Sequence, residues 1–371
     1  MTTAATRERV DDWLDRNAGR LFLLPAVLLI LAFSIFPLVI SLWLALSRFR
    51  IGPGGFELRF IGELNFKKLL TGSQQFHFLG TFAEISALGW AILALAFGLM
   101  GWSLFRWIRG RRVTALGAIG RLIAFPLFGA LAWVFASTVG EGRLGSLSTT
   151  LFYVVVGVSL QFALGTALAF LCAQRIRGRA FFRVVFFVPL MVTPVGIAYT
   201  FRMLADMSSG PFAPLWQGLG LGEFSWAADP WTARMVVVLG DSWQWIPFIF
   251  IVMLAAFESQ STDEIEAAEL DGAGPWRVFA DITWPSVAPV AATVVLIRVI
   301  EAFKIVDLPN VLTNGGPGIA TESLTLHAFI EWRALNLGGS AAVAYTLLFV
   351  STVACVSFFQ LVVRPMREAR S

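Results

Sequence analysis

Residues 264–289 read EIEAAELDGAGPWRVFADITWPSVAP. From Glu258 to Pro285 the chain places seven acids (Glu258, Asp263, Glu264, Glu266, Glu269, Asp271 and Asp281) against one base, Arg277. Long apolar runs flank the stretch on both sides. Its local grammar is that of two short helices. Ser261-Thr262-Asp263-Glu264 fits a capping box, which starts a helix, and residues 264–270 are good helix formers. Gly272 suits the left-handed residue that ends a helix. Gly274 and Pro275 restart one, with proline at the first helical position. Trp276, Phe279 and Ile282 recur every third residue and form one apolar stripe, closed by Trp284-Pro285. The spacing predicts a compact helix–turn–helix knob over 258–285. A solvated face accounts for the acids alone. Acids beside an apolar stripe suggest instead a docking surface for a protein with basic groups.

Working outward, the chain of 371 residues is 57% hydrophobic and only 14% charged, with a mean hydropathy of +0.75. Soluble domains carry roughly 25% charged residues, so this composition cannot cover a water-facing surface. Continuous apolar runs predict an all-α polytopic membrane protein, and they lack the short alternation of a membrane barrel. Eight spans are predicted: 21–46, 84–105, 115–138, 150–173, 184–205, 234–257, 286–307 and 341–363. The first run is too long for a signal peptide, so an uncleaved helix follows a charged segment, 1–20. Three basic clusters set the orientation: Arg106, Arg109, Arg111 and Arg112; Arg175, Arg177, Arg179 and Arg183; and Arg364, Arg367 and Arg370. Eight spans put all three on one side. Basic loops favour the cytoplasm, so both termini are expected there. The connection 47–83 runs against the rule, since it is predicted outside yet holds Arg48, Arg50, Arg59, Lys67 and Lys68. The other outer connections, 206–233 and 308–340, are rich in Gly, Pro and Trp. The only cysteines, Cys172 and Cys355, lie in apolar runs, and the only histidines, His77 and His327, stand far apart. Neither a disulfide framework nor a metal site is predicted. No aromatic–basic surface motif points to nucleic acid.

Several stretches carry a resemblance. Glu266-Ala267-Ala268, then Asp271-Gly272-Ala273, then Phe279, Ile282, Pro285 and Pro289 resemble the EAA loop of ABC importer permeases. Phe303-Lys304 with Asp307, Leu312 through Pro317, and Thr321-Glu322 are similar to the segment that follows this loop in carbohydrate permeases. So are Phe181-Phe182-Arg183 with Pro189 to the region before it, and Phe60 with Gly62, Asn65-Phe66 and Leu69-Leu70 to the stretch after their first span. The resemblance covers about 20–80 and 150–365, and is strongest to the maltose-permease-like subunit. Residues 84–138 look like a helix pair inserted into that plan. The family's Leu-Gln-Ser-Ile-Pro-like lead into the loop is replaced by Phe257-Glu-Ser-Gln-Ser-Thr262.

The resemblance implies four parts of the chain: a cytoplasmic segment 1–20, a first span and periplasmic loop 21–83, the inserted pair 84–138 and a permease core 150–365. It implies that the loop seats in a cleft of an ABC ATPase dimer through Glu266, Ala267, Ala268, Asp271, Gly272, Ala273, Phe279, Ile282 and Pro285. A second permease subunit and a periplasmic solute-binding protein would complete the importer, in a bacterial inner membrane. ATP and Mg would bind the partner ATPase and no cofactor this chain. The sequence agrees that no catalysis occurs here: it lacks G-x-x-x-x-G-K-[ST] and a nucleophile–base set. A sugar presents apolar C–H faces and a hydroxyl rim, so aromatic faces and amides bind it. Trp243, Gln244 and Trp245 supply both, with Tyr199 and Asn310 as further candidates. Arg298, Glu301, Lys304 and Asp307, three apart, follow one helix face as either an internal ion-pair row or a pathway lining. A secondary transporter is the alternative, as is an ABC permease for a non-sugar solute. The former needs inverted repeats, which are not apparent, and leaves the knob unexplained.

Overall fold

The computed structural model describes residues 17, 19–20, 22–52, 55–109, 115–140, 142–174, 178–220 and 225–363. Arg111, Arg112, Arg175, Arg177, Arg364, Arg367 and Arg370, most of segment 1–20 and the Arg106 side chain lie outside the described residues.

The helices are α1 (Phe22–Ala45), α2 (Leu64–Leu70), α3 (Ala87–Arg109), α4 (Ala115–Val139), α5 (Ser146–Ala173), α6 (Ala180–Met191), α7 (Pro194–Ala205), α8 (Pro230–Glu258), α9 (Thr262–Leu270), α10 (Pro275–Phe303), α11 (Asp307–Thr313), α12 (Leu324–Arg333) and α13 (Leu337–Phe358). Seven of these are long and apolar enough to cross a membrane. The predicted fifth span is not one straight helix: α6 and α7 meet at 101°. Proline explains the break. Pro189 opens a tight turn over Val188–Met191, Pro194 starts α7, and the Thr193 hydroxyl caps α7 by accepting from the Gly196 N–H. The bent pair still links the two ends of the bundle. Arg183 in α6 pairs with Glu258 beside the knob, and Arg202 in α7 donates to the Val311 carbonyl at 3.2 Å, in α11 at the far end. Seven helices of membrane length are present, and the bent pair counted as one broken span makes eight.

At the end opposite the knob, α1 runs into an antiparallel hairpin, β1 (Ser47–Gly52) and β2 (Gly55–Phe60), with Arg48 facing Arg59 and Arg50 facing Glu57. The Asn65 amide in α2 donates to the carbonyls of Ala45 (2.8 Å) and Ser47 (3.0 Å), groups the helix end leaves open. Gly338 of α13 lies against this turn, where a β-carbon would come 2.3 Å from the Ser47 oxygen. The pair α3–α4 leaves and rejoins the chain at one small ladder, β3 (Gly80–Thr81) with β4 (Arg143–Leu144).

The core follows α5 and α8, which pack so closely that a β-carbon on Gly165 would meet Ile249 at 2.8 Å. At the knob end Cys172, Ile249, Phe250, Met253, Phe257, Val287 and Val294 form one apolar cluster. By contrast, the 18-residue apolar window of α1 buries nothing. α1 and α3 run toward and away from the far end so that Phe22 and Arg109 both lie at the knob end, as does Phe358 of α13. The two cysteines are free.

Candidate functional site

The knob matches its predicted outline and differs in two joints. α9 spans Thr262–Leu270 with Ser261 as its N-cap, but the Ser261 side chain makes no cap hydrogen bond, so the capping box is not formed. Its far end closes as predicted. Gly272 sits at φ +82, its N–H donates to the Glu269 carbonyl (3.0 Å), and the Ala273 N–H donates to Ala268 (2.9 Å). That pair of bonds is the Schellman closure, and its left-handed residue favours glycine. Gly274 then caps a helix whose first residue is Pro275.

Trp284-Pro285 does not close that second helix. The chain winds through a π-turn over Phe279–Thr283 and continues into the membrane, so Pro275–Phe303 is one helix of 29 residues. A wide turn accommodates a proline that cannot donate to the preceding turn. The second half of the knob is therefore the head of α10. Gln260 fixes the base of the knob by donating to the Thr283 carbonyl at 3.0 Å, and the Arg183–Glu258 pair ties it to α6.

The exposed surface of the knob is what its composition suggested. α9 has no buried residue. Glu266, Ala267, Asp271, Gly272 and Pro285 are exposed, while Ala268, Ala273, Phe279 and Ile282 are half-buried. Two large apolar side chains flank the glycine turn: Leu270 is 89% exposed and Trp276 79%. Trp276 stacks on Phe279 with ring centroids 5.8 Å apart, and Phe279 meets Phe170 of α5 edge-on. The predicted stripe thus starts at the surface and ends in the core.

Halfway along the bundle lies a polar cluster that no sequence spacing announces. Arg298 of α10 is 1% exposed. It pairs with Asp241 of α8, donates to the Gln161 amide oxygen of α5 at 2.5 Å, and lies 4.7 Å from the Trp245 ring centre. Gln161 in turn donates to Asp241 at 2.8 Å. Buried charges in a membrane persist when paired in this way. Asp241 is 17 residues before Glu258, roughly 25 Å along the helix, so α8 and α10 connect this cluster rigidly to the knob.

The predicted row on α10 is thereby split. Arg298 turns inward, Glu301 and Lys304 pair with each other at 2.6 Å on a more exposed surface, and the helix ends at Phe303. Asp307 begins the separate helix α11, which also carries the half-buried Asn310. On α8 the adjacent aromatics diverge: Trp243 is exposed beside Phe201 (6.1 Å), Trp245 is half-buried over Arg298, and Gln244 is buried. Gln244 faces inward while Trp243 faces outward, because successive residues of a helix point about 100° apart. Tyr199 of α7 is exposed.

A third polar cluster sits at the far end. His77 and His327, which the sequence separates, stack with ring centroids 4.0 Å apart. Glu322 contacts both, at 2.7 Å and 3.8 Å. Burial pulls the His77 pKa down, but its hydrogen bond to Glu322 and the charges of Glu322 and Glu331 outweigh this and hold it above the ordinary histidine value. His327 close by, a hydrogen bond from Asn336 and the charge of His77 keep the Glu331 carboxyl below its ordinary value.

Comparison with known proteins places this arrangement. Residues 165–367 match the family described as the binding-protein-dependent transport system inner membrane component. The trehalose/maltose transport system permease protein MalF of Thermococcus litoralis is 33% identical over 206 residues, 55% of this chain and 70% of that protein. The sn-glycerol-3-phosphate transport system permease protein UgpA of Yersinia pseudotuberculosis is 30% identical over 233 residues, 61% of this chain and 78% of its own length. Among solved structures, a bacterial ABC transporter involved in the import of the acidic polysaccharide alginate has the same fold, with a TM-score of 0.65 over 96% of this chain and 99% of that one, at 17% identity. A family match over more than half of the chain, relatives at this identity and a shared fold agree: the chain belongs to the binding-protein-dependent transport system inner membrane components, the permeases of ABC importers.

Proposed function

We propose that this permease forms half of the pathway of an ATP-driven importer for a sugar or sugar-like solute, and that the knob at 258–285 is its contact with a separate ATPase subunit. The observation that carries the coupling role is α9, a well-closed helix without one buried residue, next to Leu270 and Trp276 standing in solvent. Large apolar side chains rimmed by acids mark an interaction surface. A motor needs a stiff contact, and the knob continues without a break into the 29-residue α10. The knob end is then cytoplasmic, with both termini on that side and the hairpin, α11 and α12 facing a periplasmic solute-binding protein. A second permease supplies the other half of the pathway. ATP and Mg belong to the ATPase, since no phosphate-cradling motif occurs in this chain. The relatives that transport trehalose, maltose and sn-glycerol-3-phosphate support a carbohydrate or carbohydrate-linked solute.

The experiment is reconstitution of the chain with its second permease, ATPase and receptor in vesicles. Glu266→Lys is expected to cut solute uptake at least tenfold, because it reverses a charge at the contact, while membrane insertion is unchanged. Gly272→Val forces a β-branched residue into a left-handed conformation, costing about 1–2 kcal/mol; the turn that holds α9 against α10 is expected to distort and uptake to fall. Wild-type uptake in both variants would remove the coupling assignment. For the pathway, the exposed Trp243 with Tyr199, Glu301, Lys304, Asp307 and Asn310 are the side chains we assign to the solute's route. Trp243→Ala is expected to weaken solute-stimulated ATP turnover; stimulation at the wild-type level would exclude Trp243. Ligands that raise the melting temperature of the isolated receptor identify the solute.

A further inference from the structure

Four buried or half-buried groups from distant parts of the chain meet at the far end of the bundle. His77 lies on the short helix Gln75–Phe78, Glu322 precedes α12, and His327 and Glu331 are on α12. One possible ligand atom from each of His77, Glu322 and His327 lies within 4.8 Å of the other two. Neither Glu322 nor Glu331 forms an ion pair with lysine or arginine among the described residues; their ionic neighbours are the two imidazoles. Two carboxylates facing two imidazoles leave up to two negative charges to balance in a buried place, which a divalent cation can do.

We propose that His77, Glu322 and His327 form a binding site for a divalent transition-metal ion of the zinc class, which clamps the 74–78 segment to α12. The donor set is right for that class, since imidazole nitrogens and one carboxylate oxygen suit zinc. The spacing fits with small shifts. Ligands of one tetrahedral zinc lie roughly 3.4 Å apart, given metal–ligand distances of about 2.0–2.2 Å. The His77–Glu322 contact of 2.7 Å is shorter than this and the His327–Glu322 separation of 3.8 Å longer. An ion between them moves Glu322 and His77 apart and draws His327 closer to Glu322. The rings stack 16° from parallel with centroids 4.0 Å apart, so the two imidazoles splay when both lone pairs meet one ion.

The surroundings are built as such sites are. A ligating histidine places its other nitrogen against a carboxylate, which fixes the tautomer. His327 Nε2 is buried, has no hydrogen-bond partner among the described residues, and faces Glu331 Oε1 at 3.8 Å. Glu331 is itself held by the amides of Gln74 (2.7 Å) and Asn336 (2.5 Å). With the proton on Nε2, His327 Nδ1 keeps its lone pair, and the Ser146 hydroxyl 2.9 Å away donates to it until a metal replaces that bond. The His77 side chain is 28% exposed while His327 is fully buried, so an ion reaches the site from the outer surface past His77.

The full chain, purified in detergent, stripped with chelator and titrated with zinc alone, tests this. One zinc per chain and a rise in melting temperature are expected. His77→Gln and Glu322→Gln remove both, and Glu331→Gln weakens binding by about 10–100-fold through the orientation of His327. Cobalt(II) in the wild-type chain gives an absorption spectrum of nitrogen and oxygen ligands, independent of any variant's folding. Absence of stoichiometric zinc in the wild-type chain overturns the proposal, as does equal binding by His77→Gln or a cobalt spectrum without imidazole ligation.

Discussion

Replacing Arg298 by leucine is expected to destabilise the folded chain by about 3–5 kcal/mol, the cost of stranding a buried charge. Arg298 is 1% exposed, and its guanidinium serves both Asp241 and the Gln161 oxygen. Removing it leaves the buried Asp241 carboxyl without its cationic partner and with the Gln161 Nε2 donor at 2.8 Å. The Trp245 face that the guanidinium covered is also left bare. The double variant with Asp241→Leu should recover most of the loss, because an apolar pair of similar volume replaces the ionic one without stranding a charge. Equilibrium unfolding in mixed micelles measures both. A single variant within about 1 kcal/mol of wild type, well below that range, would mean that the cluster does not join α5, α8 and α10 as described.

The second large effect falls on association and spares the fold. Leu270 and Trp276 expose most of their surface, and burying each against an ATPase cleft is worth about 1.5–3 kcal/mol. Truncating either to alanine should weaken the complex roughly 10- to 100-fold, with the melting temperature of the free chain nearly unchanged. The contrast between the two experiments is diagnostic. Arg298 is expected to act inside the chain, and Leu270 and Trp276 on the proposed ATPase contact. Unaltered affinity for the ATPase in Leu270→Ala and Trp276→Ala together would leave the two side chains with no role in docking.

Between these two regions runs α10, and its continuity was the feature hardest to foresee. The Trp284-Pro285 pair reads locally as a stop, since proline lacks the N–H that an α-helix requires. The π-turn over Phe279–Thr283 accommodates it, so knob and span are one body. Continuity gives displacement at Trp276 a direct route to Arg298, 22 residues further on and roughly 33 Å away. The same logic in reverse undid the fifth span: hydropathy alone reads 184–205 as continuous, but Pro189 and Pro194 break it at a 101° bend.

The sequence by itself determined the membrane class, the seven straight spans, the acidic knob with its glycine closure at Gly272, and the family. Each depends on local signals: apolar runs of membrane length, cap and turn residues, and a motif contiguous in the chain. Only the tertiary structure decided where the ionisable groups go. Arg298 found Asp241 and Gln161 on two other helices, while Glu301, three residues along, turned to Lys304. His77 met Glu322 across 245 residues of sequence. Gln161 left one trace, as an amide inside an otherwise apolar run, but not the identity of its partner. A buried charge is stable only beside a complementary one, and which helices stand side by side is fixed by packing across the bundle, which no local spacing encodes.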